Sequence, residues 1–223
     1  MIRRFLLIAA LGFMVLGLFL IVGLPSDDED TVELPTDGPV RTIFVGDSIT
    51  AGVNPETFEP DDTYSWVPYA VADDRSPWEL DASVAQFGLT LGQMALGFES
   101  QVLSQDPQGV VIMGGTNDAL RQLPVEESIE WLRSMVTSAQ DRGIAVWVIA
   151  PPPLDPAYER DLQALVDAQA ELADAMDVPY VDVREDLKDA DGNWVPGLTS
   201  DGVHPSEEGA RRIADLILDE VDQ

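Results

Sequence analysis

Residues 41–49 read Arg-Thr-Ile-Phe-Val-Gly-Asp-Ser-Ile, and this stretch sets the architecture of the chain. It is a short β-branched and aromatic run that stops at Gly46, which predicts a strand followed at once by a small polar loop. The same pattern recurs downstream. Ser83–Phe87 is a second candidate strand, and Val110–Met113 is a third, ending in Gly114-Gly115. Ile144–Ala150 is a fourth, closed by Pro151-Pro152-Pro153, and Tyr180–Val183 is a fifth. Helical patterns fill the gaps, at roughly 93–104, 125–142, 156–177 and 206–221.

The helix at 156–177 has the clearest periodicity. Leu162, Leu165, Val166, Ala168, Gln169, Leu172, Ala173 and Met176 recur mostly at spacings of three and four, with acidic residues on the other face. The helix at 125–142 follows Pro124, carries acidic residues in its first turn and ends at Arg142-Gly143. Strands alternating with helices predict an α/β domain with a mostly parallel sheet covered on both faces. In such sheets, sites collect beyond the carboxyl ends of the strands. Residues 40–223 form one such domain, with no internal repeat.

Composition narrows the chemistry. The chain has no cysteine, so disulfides, a thiol nucleophile and cysteine-ligated metals are excluded, and a single histidine excludes a multi-histidine metal site. The 41 acidic residues against 12 basic ones give a net charge of −29, which opposes binding to nucleic acid. Adaptation to high salt and a preference for arginine over lysine both fit this balance; Lys188 is the only lysine.

The N-terminus carries a separate signal. Arg3 and Arg4 precede an uncharged apolar run from Phe5 to Leu24, and Asp27, Asp28, Glu29 and Asp30 follow it. About 20 apolar residues suffice to span a ~30 Å hydrocarbon core. The flanking charges predict a single-pass anchor with residues 1–4 in the cytoplasm and the domain outside. A cleaved signal peptide is the rival reading, and it also places the domain outside. Residues 25–39 read as an acidic linker rather than a calcium loop, because no EF-hand spacing surrounds the acidic run.

Three strand ends and one late loop share small polar residues and glycines. They are Gly46-Asp47-Ser48-Ile49, Gly88-Leu89-Thr90-Leu91-Gly92, Gly114-Gly115-Thr116-Asn117-Asp118 and Asp201-Gly202-Val203-His204-Pro205. Together they offer the parts of an acyl-transfer site. A serine hydroxyl needs a base to attack, and His204 is the only imidazole available to Ser48. Asp201, three residues before it, is placed to fold back onto the ring and fix its tautomer. The Asn117 amide and the backbone N–H of Ser48 are candidate oxyanion donors. Taken singly, each has a plainer reading: Ser48 as a helix cap, Asn117 and Asp118 as turn formers, His204 as a surface residue. Asp47 reads as a tie for the loop around Ser48, and prolines 151–153 as a stiff rim. Trp66, Trp78 and Trp194 are candidates for the core or for an acyl or sugar pocket.

The first, third and fourth blocks resemble the signature blocks of the SGNH/GDSL hydrolases, in the family's order and across about residues 40–221. The resemblance implies a flavodoxin-like α/β/α sandwich with a five-stranded sheet. It further implies Ser48 as nucleophile, Asp201 and His204 as its partners, and Asn117 as oxyanion donor, with no cofactor or metal. The second block departs from the family's Asn-x-Gly-x-Ser-Gly. Strict overlay puts Leu91 at the donor position, a one-residue shift puts Gly92 there, and Gly88 is a third candidate. The expected function is a membrane-anchored extracytoplasmic esterase acting on small-molecule or glycan esters. Acyl transfer to a sugar and an inactive binding module are the alternatives. Oligomeric state is not legible in the sequence.

Overall fold

The computed structural model describes residues 38–154 and 156–221. The expected anchor at 5–24 and most of the linker lie outside the described residues. Among the described residues, no helix is long and apolar enough to cross a membrane.

The strands are β1 (Val40–Gly46), β2 (Trp78–Ala85), β3 (Gly109–Met113), β4 (Ala145–Ile149) and β5 (Tyr180–Val181). They form one sheet in the order β2-β1-β3-β4-β5, and every pairing is parallel. The helices are α1 (Ser48–Ala51), α2 (Val67–Ala72), α3 (Leu91–Gln101), α4 (Thr116–Leu120), α5 (Val125–Gln140), α6 (Pro156–Ala175) and α7 (Glu207–Val221).

Alternate strand residues serve opposite faces, as the two-residue period of a strand demands. Phe44, Val111, Met113, Trp147 and Ile149 pack with α2 and α7 on one face. Ile43, Val45, Val110, Ile112, Val146 and Val148 pack with α3, α5 and α6 on the other. β1, β3 and β4 are therefore buried almost throughout and read as continuous apolar runs. All three tryptophans considered for a pocket are core residues. Phe44 meets Trp66 and Trp78 edge to face at 5.5 and 5.8 Å, and Trp194 is buried with its indole N–H on the Pro153 carbonyl at 2.8 Å.

Three departures from the sequence reading have physical causes. β2 begins at Trp78 rather than at Ser83, because it is an edge strand whose residues 79–81 are exposed and carry no core signal. α2 was not anticipated. It spans six residues and carries a proline at its start, where the missing N–H costs nothing. That length is too short to show a helical period. α3 also starts at Leu91 rather than at 93, held by a capping box between Thr90 and Gln93.

The proline run after β4, expected as a stiff rim, is buried. The next residue, Leu154, donates its N–H to the Glu159 carboxylate at 2.9 Å. Glu159 in turn pairs with Lys188 at 2.8 Å and with the buried Arg184 at 3.6 Å.

α7 approaches the late loop so closely that a Cβ on Gly209 would lie 2.1 Å from the Leu198 carbonyl oxygen. That oxygen accepts the Ser206 N–H at 2.8 Å, so it cannot simply swing away. Gly209→Ala should therefore lower stability by about 1–3 kcal/mol, the usual cost of overpacking. A urea midpoint within error of wild type would show that the helix can shift without cost.

Candidate active site

The sheet order reverses direction between β1 and β3, the place where sheets of this kind open a crevice at their carboxyl edge. The loops after those two strands carry Ser48 and Asn117. Gly46 ends β1 because a Cβ there would meet Thr50 Oγ1 at 2.2 Å and the Met113 carbonyl at 2.9 Å. The chain turns directly into α1. Asp47 is its N-cap, and its carboxylate accepts the Ile49 N–H at 3.0 Å. Ser48 is thereby the first helical residue, whose N–H has no intrahelical acceptor.

Ser48 and His204, far apart in sequence, meet here. Ser48 Oγ lies 2.9 Å from His204 Nε2, and His204 Nδ1 lies 2.7 Å from Asp201 Oδ2. A carboxylate on Nδ1 fixes the proton there, so Nε2 is the acceptor for the Ser48 hydroxyl. The Asp201 carboxylate also accepts the backbone N–H groups of Val203 and His204, at 2.9 and 2.8 Å. Burial raises its pKa, but the imidazole and these N–H groups outweigh that and hold it below the usual carboxylate value. It stays ionised opposite the ring. Thr199, which lies in no motif block, donates its hydroxyl to the His204 carbonyl at 2.7 Å and accepts the Gly202 N–H at 3.1 Å, closing the loop.

Asn117, at the start of α4, lies across the crevice. Its Nδ2 donates to the Leu89 carbonyl at 3.1 Å and to Asp47 Oδ2 at 3.3 Å. Asp47 thus ties the Ser48 loop to the Asn117 loop as well as to its own helix. It is 1% exposed, and burial pushes its carboxyl up to about 6 against the opposing pull of the Ile49 N–H and of His204.

The second block comes to the same place with a changed inventory. The Leu91 N–H is committed to Asp118 Oδ2 at 3.0 Å, while Asp118 Oδ1 accepts the Ser128 hydroxyl at 2.7 Å. Burial raises the pKa of Asp118 despite both bonds. Leu91, the strict-overlay donor, is therefore engaged elsewhere. Gly88 has φ +70, and its carbonyl accepts from Arg121 at 2.7 Å, one residue before the carbonyl bound by Asn117. Gly92 lies in the first turn of α3, where N–H groups have no intrahelical acceptor, packed beneath Trp131. Among the described residues, no cluster of three or more histidines or carboxylates is arranged to hold a metal ion.

A hydroxyl held on a neutral imidazole, itself held by an ionised carboxylate, can attack a carbonyl and pass its proton to a leaving group. Comparison with known proteins agrees with that chemistry. No curated protein matches the chain. Among solved structures, a lipase/acylhydrolase from Enterococcus faecalis is 27% identical, with a TM-score of 0.66, covering 82% of this chain and 96% of that one. A GDSL-like lipase from Bacteroides thetaiotaomicron is 24% identical at a TM-score of 0.64, covering 85% and 91%. An acetylxylan esterase from Geobacillus stearothermophilus, solved as a catalytic mutant, is 21% identical at 0.67, covering 82% and 95%. These last two show the shared fold. The sequence pattern of the GDSL-like lipase/acylhydrolase family matches residues 44–212, most of the chain, so the chain belongs to that family and is a serine ester hydrolase.

Proposed function

We propose that Ser48 is the nucleophile, His204 the base and Asp201 the residue that orients it, in hydrolysis of an acyl or acetyl ester outside the cytoplasm. The observation that carries this reading is the unbroken chain Asp201 Oδ2, His204 Nδ1, His204 Nε2, Ser48 Oγ, with links of 2.7 and 2.9 Å. Ser48 Oγ attacks the ester carbonyl as His204 takes its proton. The carbonyl oxygen, now negative, is met by the Ser48 N–H, by a backbone N–H of the 88–92 segment, where Gly88 and Gly92 are the candidates, and by Asn117 Nδ2 once it turns one of its two N–H bonds away from the Leu89 carbonyl or Asp47. His204 returns the proton to the departing alcohol. The same imidazole then activates water, which releases the acid and restores Ser48. No metal or organic cofactor enters these steps.

The charged run of Arg3-Arg4, the apolar stretch 5–24 and the acidic residues after it support a single-pass anchor, with the domain at 40–223 held outside. An outward position, together with a fold shared with an acetylxylan esterase, supports an acylated carbohydrate or a small acyl ester as substrate.

Asp47 acts as a positioning residue in this scheme, because its ionised carboxylate accepts the Asn117 amide and so aims it. Its folded pKa of about 6 lies above the ordinary aspartate value of 3.8. The folded state therefore binds this proton more tightly than the unfolded chain does. This group favours the fold most below the unfolded value, and that contribution is lost as pH rises through the folded value.

Ser48→Ala and His204→Ala should each lower kcat by about 10³-fold or more with the fold intact. Undiminished turnover in either variant overturns the assignment, as does failure of a fluorophosphonate to label Ser48. Asp47→Asn sets an amide donor against the Asn117 amide. It should cut kcat by up to the ~10²–10³-fold of a lost oxyanion donor. The same variant should flatten the pH dependence of stability between the unfolded value of 3.8 and about 6. Denaturant titrations at several pH values measure this, and a slope unchanged from wild type counts against the role.

A further inference from the structure

The loop after α1 presents an aromatic ring to the site that the chemistry above does not use. Phe58 is 60% exposed, and its ring centroid lies 6.3 Å from that of His204, with the two planes at 86°. Its backbone has φ +57, the left-handed region that side-chain-bearing residues rarely occupy. The loop is built to hold that conformation. Asn54 Oδ1 accepts the N–H groups of Glu56 and Thr57 at 2.9 and 3.3 Å. The Asn54 carbonyl accepts the Phe58 N–H at 2.8 Å, and the Glu59 carbonyl accepts the Asn54 N–H at 3.0 Å. Val53 and Pro60 close the base as an antiparallel bridge. A large apolar side chain held in a strained backbone and left in water makes no contribution to the core. What sets it apart from other exposed apolar residues is the strained backbone that holds its ring beside His204.

We propose that Phe58 is the platform for the alcohol half of the ester, and that this alcohol is an uncharged sugar ring. The inference rests on the reading of Ser48 and His204 given above. His204 Nε2 must deliver its proton to the departing oxygen, so the alcohol stands beside the imidazole. Asn117, the candidate oxyanion donor, comes from the loop after β3, where it is bound to the Leu89 carbonyl and tied across to Asp47. A ring 6.3 Å from the imidazole therefore flanks the alcohol and not the acyl group. A flat, half-exposed aromatic surface matches the C–H face of a pyranose, which buries apolar area while its hydroxyls stay wet. The exposed Glu56 and Glu59 beside Phe58, with Asp61 and Asp62 just beyond, repel an anionic alcohol.

The test compares three acetates on the full chain in detergent: ethyl acetate, hexyl acetate and an acetylated methyl xyloside. Phe58→Ala removes the ring. Phe58→Asn removes it while keeping a residue suited to the left-handed backbone, and Phe58→Trp restores a ring. Both ring-less variants should raise KM for the xyloside about tenfold. They should leave kcat/KM for ethyl acetate within about twofold of wild type, and Phe58→Trp should recover xyloside binding. Equal losses on ethyl acetate and the xyloside, or a larger loss on hexyl acetate, overturn the sugar assignment. So does a wild type that hydrolyses ethyl acetate but not the xyloside. If fluorophosphonate fails to label Ser48 and no acetate is cleaved, the hydrolytic reading of the site falls, and this inference falls with it.

Discussion

One buried carboxylate holds the site together. Asp47 accepts a bond from its own helix at Ile49 and another from Asn117 on the loop after β3. In a parallel sheet each strand ends in a separate loop, and nothing in the ladder itself fixes one loop against the next. The crevice between β1 and β3 is where neighbouring loops depart in opposite directions. A polar tie across it converts two independent loop ends into one surface. The cost is burial of an ionisable group, which shows in the raised pKa of Asp47. Asp118, next to Asn117, repeats the device one layer out, joining α3 and α5 through Leu91 and Ser128.

The imidazole arrives from the other end of the chain by different means. Asp201, Val203 and His204 form a tight carboxylate-capped turn, and Thr199 closes it from within. Gly209 then lets α7 press against the Leu198 carbonyl, so the turn is seated on a helix buried in the core. The imidazole is thus oriented by local bonds and located by long-range packing. Preorganisation of this kind spares the reacting groups the reorientation that water would otherwise demand.

Much of this was legible in the sequence because strongly buried elements leave strong patterns. β1, β3 and β4 are sandwiched by helices, so their apolar runs and terminal glycines mark both the sheet and the loops beyond it. Ser48 and Asn117 could be picked out because each falls in one of those loops, and Asp201 and His204 because they share a glycine-containing turn just before the last helix. The five-stranded parallel sheet follows the same logic. β2 was half hidden, since an edge strand shows its polar residues to water, and α2 was hidden by its length. The engagement of Leu91 by Asp118 was invisible because backbone N–H partners leave no residue signature. Phe58 was missed for a related reason. Its meaning lies in a ring contact with a residue distant in sequence, and in a backbone angle that no pattern of residue types encodes.

The acidic surface also bears on the end of the reaction. Hydrolysis of a neutral ester creates a carboxylate where none existed before, within a chain of net charge −29. Glu56 and Glu59 stand exposed beside the ring that flanks the imidazole. The newborn anion is pushed outward by the field it enters and meets the same field if it returns. An uncharged ester feels neither push. The charge distribution therefore biases traffic through the crevice: neutral molecules come and go freely, while the acid that leaves is discouraged from occupying the site again.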